Sequence, residues 1–230
     1  MPATDDLAAN FDAVRARIAA AARACGRDPA AVALLAVSKA QAAARIRALA
    51  SAGQRAFGEN YPQEAAAKIE ACDDLGLEWH FIGQLQANKT RVVAERFDWV
   101  HSLDRIRLAE RLSAQRPAGS PPLQVLLQVN VSAEPQKGGV EPAELPALAR
   151  AVAALPKLAL RGLMCIPAPA RDPAAQRAPY QALRALRDRL RAELGPLDQL
   201  SMGMSDDLEA AIAEGATIVR VGTALFGSRG

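Results

Sequence analysis

Lys39 follows Val32-Ala-Leu-Leu-Ala-Val37, an uninterrupted apolar run, with only Ser38 between them. A primary amine at the end of a buried strand is partly desolvated. That favours its neutral form and makes it a nucleophile toward a carbonyl, the chemistry of a Schiff base. The same position also suits a lysine whose stem packs on the protein while its charge reaches water, and the residue alone leaves both readings open. Lysine is rare in this chain, with only Lys39, Lys68, Lys89, Lys137 and Lys157 among 28 basic residues. Where arginine is the default cation, each lysine is a candidate for amine chemistry that a guanidinium cannot perform.

Two further groups point to a phosphate. Gly203-Met-Ser205 and Gly222-Thr223 offer backbone amides, hydroxyls and room for close approach, the parts of a phosphate cradle; two tight turns with Ser205 as a helix cap would read the same way. Asp206 and Asp207 suit the first turn of a helix but repel a phosphate, so they must point away if the cradle is real. Arg220, two residues before Gly222, shares its strand face. A buried guanidinium there needs an acceptor, either a ligand ring nitrogen or a strand-end carboxylate.

These residues need a frame that brings them together. Leu7, Phe11, Val14 and Ile18 mark one face of a helix over Asp5 to Ala24. Eight short apolar runs follow, at residues 32–37, 55–57, 78–82, 99–101, 123–129, 160–164, 199–202 and 217–221, with helical stretches between them. Eight buried strands alternating with helices predict an α/β chain forming one (β/α)8 TIM barrel with an extra N-terminal helix, a single domain over residues 1–230. In such a barrel, chemistry gathers where the strand ends converge, and the residues there are Ser38-Lys39, Gly58 to Tyr61, Gly83 to Lys89, Ser102, Asn130, Met202 to Asp207 and Gly222-Thr223, with Arg220 near the end of the last strand. The residues at 177, 184, 187 and 191 are arginines at helical spacing and read as the solvated face of an outer helix.

Composition excludes several classes. The 28 Lys+Arg and 25 Asp+Glu are interspersed, for a net charge of +3, which argues against a dedicated nucleic-acid binder. No window is apolar enough to span a membrane, and the acidic start is unlike a signal peptide. Cys25, Cys72 and Cys165 are scattered and the only histidines are His80 and His101, so neither a disulfide framework nor a Cys/His metal site is expected. The reading is a cytoplasmic protein.

The motifs together resemble the pyridoxal 5′-phosphate (PLP) homeostasis family. They are Leu35-Ala-Val-Ser-Lys39, Phe57-Gly-Glu-Asn-Tyr61, Trp79-His-Phe-Ile-Gly83, Arg161-Gly-Leu-Met164, Leu200 to Asp207 and Arg220 to Gly227. They run in order through nearly the whole chain. The resemblance implies a barrel similar to the N-terminal domain of alanine racemase, with PLP as a Schiff base on Lys39, Asn60 near the ring, Arg220 at the pyridine nitrogen, and Ser205, Gly222 and Thr223 on the phosphate. Ala42 and Gln84 stand where the family often has proline, which bears on the rigidity of two rim loops.

A PLP site need not be an enzyme. Arginine does not give up its proton, so it leaves the ring nitrogen neutral and the electron sink weak. Racemases on this fold add a base from another domain or subunit, whereas this chain ends just after its last barrel elements. The expectation is a monomeric PLP carrier and buffer without substantial turnover, which hands PLP transiently to apo-enzymes and has no nucleic-acid or membrane partner. A PLP-dependent amino-acid racemase is the alternative, and a Schiff-base aldolase without PLP a third. Lys137, beside Gly138-Gly139 in a loop after the fifth strand, is a candidate for assisting PLP release, or an ordinary solvated lysine; Lys89 is undecided.

Overall fold

The structure, a computed structural model, describes residues 4–132, 138–170 and 172–227. Strands β1 (Ala33–Val37), β2 (Ala56–Glu59), β3 (Glu78–Phe81), β4 (Trp99–Leu103), β5 (Leu123–Gln128), β6 (Leu158–Met164), β7 (Gln199–Ser201) and β8 (Ile218–Val221) each pair in parallel with the next. β8 returns to β1, pairing Ala33 with Ile218 and Ala36 with Val221, and closes the barrel. Closure explains how three-residue β7 survives: it is flanked by β6 and β8 and leaves no open edge.

Helices α2 (Ala43–Ser51), α3 (Pro62–Ala71), α4 (Thr90–Arg96), α5 (Ile106–Gln115), α6 (Leu145–Ala153), α7 (Pro173–Leu194), α8 (Leu208–Ala213) and α9 (Thr223–Phe226) follow the eight strands in turn. The predicted (β/α)8 barrel is therefore the observed one. The additional helix α1 (Thr4–Ala24) buries Leu7, Phe11, Val14 and Ile18, each at most 5% exposed. It lies against α8 and α9, where Asn10 Nδ2 donates to the Leu225 carbonyl at 3.1 Å and Arg17 pairs with Glu209.

Strand alternation divides the buried residues into two layers. Trp79 and Phe81 of β3 face the large apolar layer beneath the helices, whereas His80 and Ile82 point the other way. Leu35, Ile82 and Ile218 form a small apolar cluster of their own. Beside it lie His80, His101, Ser201 and Arg220, all buried, so the barrel interior carries an unusual share of polar side chains.

Candidate functional site

The strand ends open onto a cavity of about 260 Å³ lined by Lys39, Asn60, Ser205, Arg220, Gly222 and Thr223, with Ile82, Ile166 and Met204 as apolar wall. All six residues singled out in the sequence meet there, though they lie on four different βα connections.

Lys39 sits in a loop held from behind. Ala40 has φ +60°, a left-handed conformation that costs a non-glycine residue about 1–3 kcal/mol and persists only where the surroundings enforce it. They do so with two groups from α3. Glu64 accepts from the Ala40 amide at 2.7 Å, and Lys68 Nζ donates to the Ser38 carbonyl at 2.7 Å. Lys68 also donates to Glu59 Oε1 at 2.8 Å and to Glu64, and Ser38 Oγ donates to Glu59 Oε1 at 2.6 Å. Glu59, at the end of β2, is fully buried. Burial pushes its carboxyl up, opposed by the hydrogen bonds from Lys68 and Ser38. The rim loop that carries Ala42 in place of proline is thus fastened from the side. Gln84 is exposed.

Asn60 follows Glu59 into the cavity wall. A Cβ at Gly83 would fall on the Asn60 carbonyl, so glycine there lets the end of β3 pass close beside it. The Asn60 Oδ1 is buried without a hydrogen-bond partner. Buried amide oxygens are seldom left so, and Asn60 is itself a residue of the cavity wall.

The cradle residues are set by long-range contacts. Gly203 has φ +90°, and a Cβ there would meet Ala211 Cβ at 2.5 Å, so only glycine fits. Its carbonyl accepts from the Arg220 amide at 3.0 Å, joining the loop after β7 to strand β8. Ser205 Oγ lies 3.4 Å from the Ala224 amide, at the start of α9, and Arg17 Nη2 donates to the Ser205 carbonyl at 3.1 Å. Asp207 turns back into the protein, where Oδ1 accepts from the Met204 amide at 2.6 Å and Oδ2 from the Tyr180 hydroxyl at 2.7 Å. Asp206 remains exposed on the cavity rim. Asp207 thus points away, as a phosphate requires.

Arg220 is buried, and burial lowers its pKa from the usual range. Its Nη1 donates to Ser201 Oγ at 2.8 Å and Nη2 to the Cys165 carbonyl at 2.9 Å, so these bonds go to neutral acceptors rather than to a strand-end carboxylate. Burial also pushes the Cys165 thiol up to about 12 and the Tyr180 phenol above its ordinary value, the latter helped by its bond to Asp207. Neither is a ready base at neutral pH.

Sequence reasoning missed the support of Lys39. Lys68 stood out by rarity, and Glu64 lies one helical turn before it, but nothing local revealed that both reach the Ser38–Ala40 loop. Tyr180, on a helix outside the barrel, is nonetheless fully buried. The arginine stripe of α7 is only partly solvent-directed, since Arg177 and Arg184 converge on Glu214, whose side chain is 1% exposed. Lys89 opens α4 and does not line the cavity. Lys137 lies outside the described residues.

The alanine racemase N-terminal domain family matches residues 9–230. A pyridoxal phosphate homeostasis protein of Pseudomonas aeruginosa is 61% identical over 223 residues, covering 97% of this chain and 96% of that protein. Its counterpart in Escherichia coli K12 is 53% identical over 228 residues, covering 98% and 97%. The structure of PipY from Synechococcus elongatus with PLP bound is similar at a TM-score of 0.80 and 42% identity, over 91% of this chain and all of that one.

Proposed function

The chain belongs to the family of pyridoxal phosphate homeostasis proteins, and from that premise we propose that it carries and buffers PLP as a Schiff base on Lys39 and delivers it to apo-enzymes. The observation that carries this reading is the convergence of one lysine, one buried arginine, a glycine-hydroxyl rim and Asn60 on a single cavity. The residues fit the group. PLP, when bound, supplies an aldehyde for an amine and a ring that can withdraw electrons.

In this reading Lys39 provides the amine, on a loop whose geometry Glu64 and Lys68 hold. Ser205, Thr223 and the backbone at Gly222 receive the phosphate, and Ile82 and Ile166 exclude water from the side. Asn60 offers a polar contact beside the ring. Arg220 presents an N–H to the ring nitrogen and keeps its own proton, so it orients without activating.

The same features favour holding over turnover. The two tyrosines of the chain are Tyr180, committed to Asp207, and Tyr61, which is 59% exposed. The reading is a cytoplasmic monomer formed as one domain, without enzymatic turnover, nucleic acid or membrane. Among the described residues no helix is long and apolar enough to cross a membrane.

Borohydride reduction followed by mass spectrometry tests it. The wild type should gain one reduced PLP adduct on Lys39, and Lys39→Ala should lose it; an adduct mainly on another lysine overturns the assignment. Racemisation or transamination at about 1 s⁻¹ or faster would replace the carrier with an enzyme.

A further inference from the structure

Behind Arg220 the barrel interior holds a row of polar side chains that the carrier reading does not use. Arg220 Nη1 donates to Ser201 Oγ at 2.8 Å, and Ser201 Oγ lies 2.9 Å from His101 Nδ1. His101 Nε2 lies 2.9 Å from His80 Nδ1, and His80 Nε2 lies 2.7 Å from Glu78 Oε1. The row crosses from β8 through β7 and β4 to the first residue of β3. Ser201, His101 and His80 are at most 3% exposed, whereas the Glu78 side chain is 51% exposed, at a second cavity lined also by Asp98 and Arg116. His80 is further fixed by stacking on Trp99, with ring centroids 5.4 Å apart and planes within 3°.

Proton counting gives this row a direction. At its two ends, Arg220 can only donate and the Glu78 carboxylate can only accept. With both imidazoles neutral, one arrangement pairs every donor with an acceptor. Ser201 donates to His101 Nδ1, His101 carries its proton on Nε2 and donates to His80 Nδ1, and His80 carries its proton on Nε2 and donates to Glu78. Reversing either ring sets two acceptors or two donors face to face. Burial, with the nearby His80 and Arg220, holds His101 well below its ordinary pKa, in keeping with a neutral ring. His101 bonds to Ser201 and not to the adjacent Ser102.

We infer that Ser201, His101 and His80 are positioning residues for Arg220, a one-way hydrogen-bond chain anchored on Glu78 that pins Nη1 from beneath. The Cys165 carbonyl pins Nη2, and with one N–H of each Nη committed the guanidinium plane is set before any ligand arrives, leaving other N–H groups to donate. The cavity therefore meets a donor of fixed direction rather than a mobile cation. This inference rests on the reading that Arg220 faces the PLP ring nitrogen.

Two measurements test it, and they separate its failure from that of the reading. Two-bond ¹H–¹⁵N spectra of the apo protein at neutral pH should show both histidines as neutral Nε2–H tautomers; an Nδ1–H tautomer of His101 or a cationic His80 overturns the chain. Binding of PLP is then compared with that of an analogue whose ring nitrogen is replaced by C–H. The wild type should prefer PLP by about tenfold, as one hydrogen bond to a charged group implies. Ser201→Ala should lose most of that preference while Ser201→Thr, which keeps the hydroxyl, retains it. Equal binding of the two ligands by the wild type overturns the Arg220 reading and this inference with it. Full preference in both the wild type and Ser201→Ala overturns the positioning role alone.

Discussion

Lys68 Nζ donates to the Ser38 carbonyl at 2.7 Å, so the peptide leading into Lys39 is held by a second, buried lysine. The same ammonium is the cationic partner of Glu59, whose side chain has no exposed surface. Lys68→Met should therefore leave a carboxyl in the interior without its cation and cost about 3–5 kcal/mol of stability, read from urea unfolding. Adding Glu59→Gln should recover part of the loss, because the stranded charge is then gone. A loss under about 1 kcal/mol in the single variant would mean that the pair contributes little.

Replacing both Ser205 and Thr223 by alanine should weaken PLP by about 1.5–3 kcal/mol for each charge-assisted bond removed. Pyridoxal, which lacks the phosphate, should be affected far less. Titration of both ligands checks this, and equal losses would remove the cradle from the site.

Stability should fall in mild acid because His101 is buried neutral. Its pKa in the fold lies below the ordinary 6.5 of the unfolded chain, held down first by burial and then by His80 and Arg220. Below pH 6.5 the unfolded state therefore binds the extra proton, and stability declines with falling pH by up to about 1.4 kcal/mol per pH unit. Urea midpoints between pH 7.5 and 5 should show this slope in the wild type and a shallower one in His101→Asn. Parallel slopes would assign the acid sensitivity elsewhere.

Gly203→Ala should destabilise the fold by about 1–3 kcal/mol, through a left-handed backbone and collision with Ala211. Because the Gly203 carbonyl receives the Arg220 amide, PLP affinity should fall as well. A thermal midpoint equal to that of the wild type would contradict the geometry. Gly53→Ala, where φ is +104° but no atom lies within 4 Å of the added Cβ, is the control for backbone strain alone.

The barrel was legible because its signals are local. Leu7, Phe11, Val14 and Ile18 state a helix at a spacing any reader can check, and the run ending at Val37 states a buried strand. Even short strands fell within a few residues of their expected ends, since a closed sheet needs each of them. Topology sends every strand end to one rim, which placed Lys39, Arg220 and the two glycine-hydroxyl groups there, while the choice of Asn60 among the many rim residues came from the family resemblance.

What the sequence by itself determined, then, was the order of strands and helices and the set of side chains delivered to the cavity. Only the tertiary structure decided what stands behind those side chains. Lys68 and Ser38 are 30 residues apart, Ser201 and His101 are 100 apart, and Arg17 reaches Ser205 across 188. Period and spacing report which face a residue occupies along its own element. A hydrogen bond between elements depends on register, twist and closure, which set where two faces meet, and no local pattern of residues encodes that meeting.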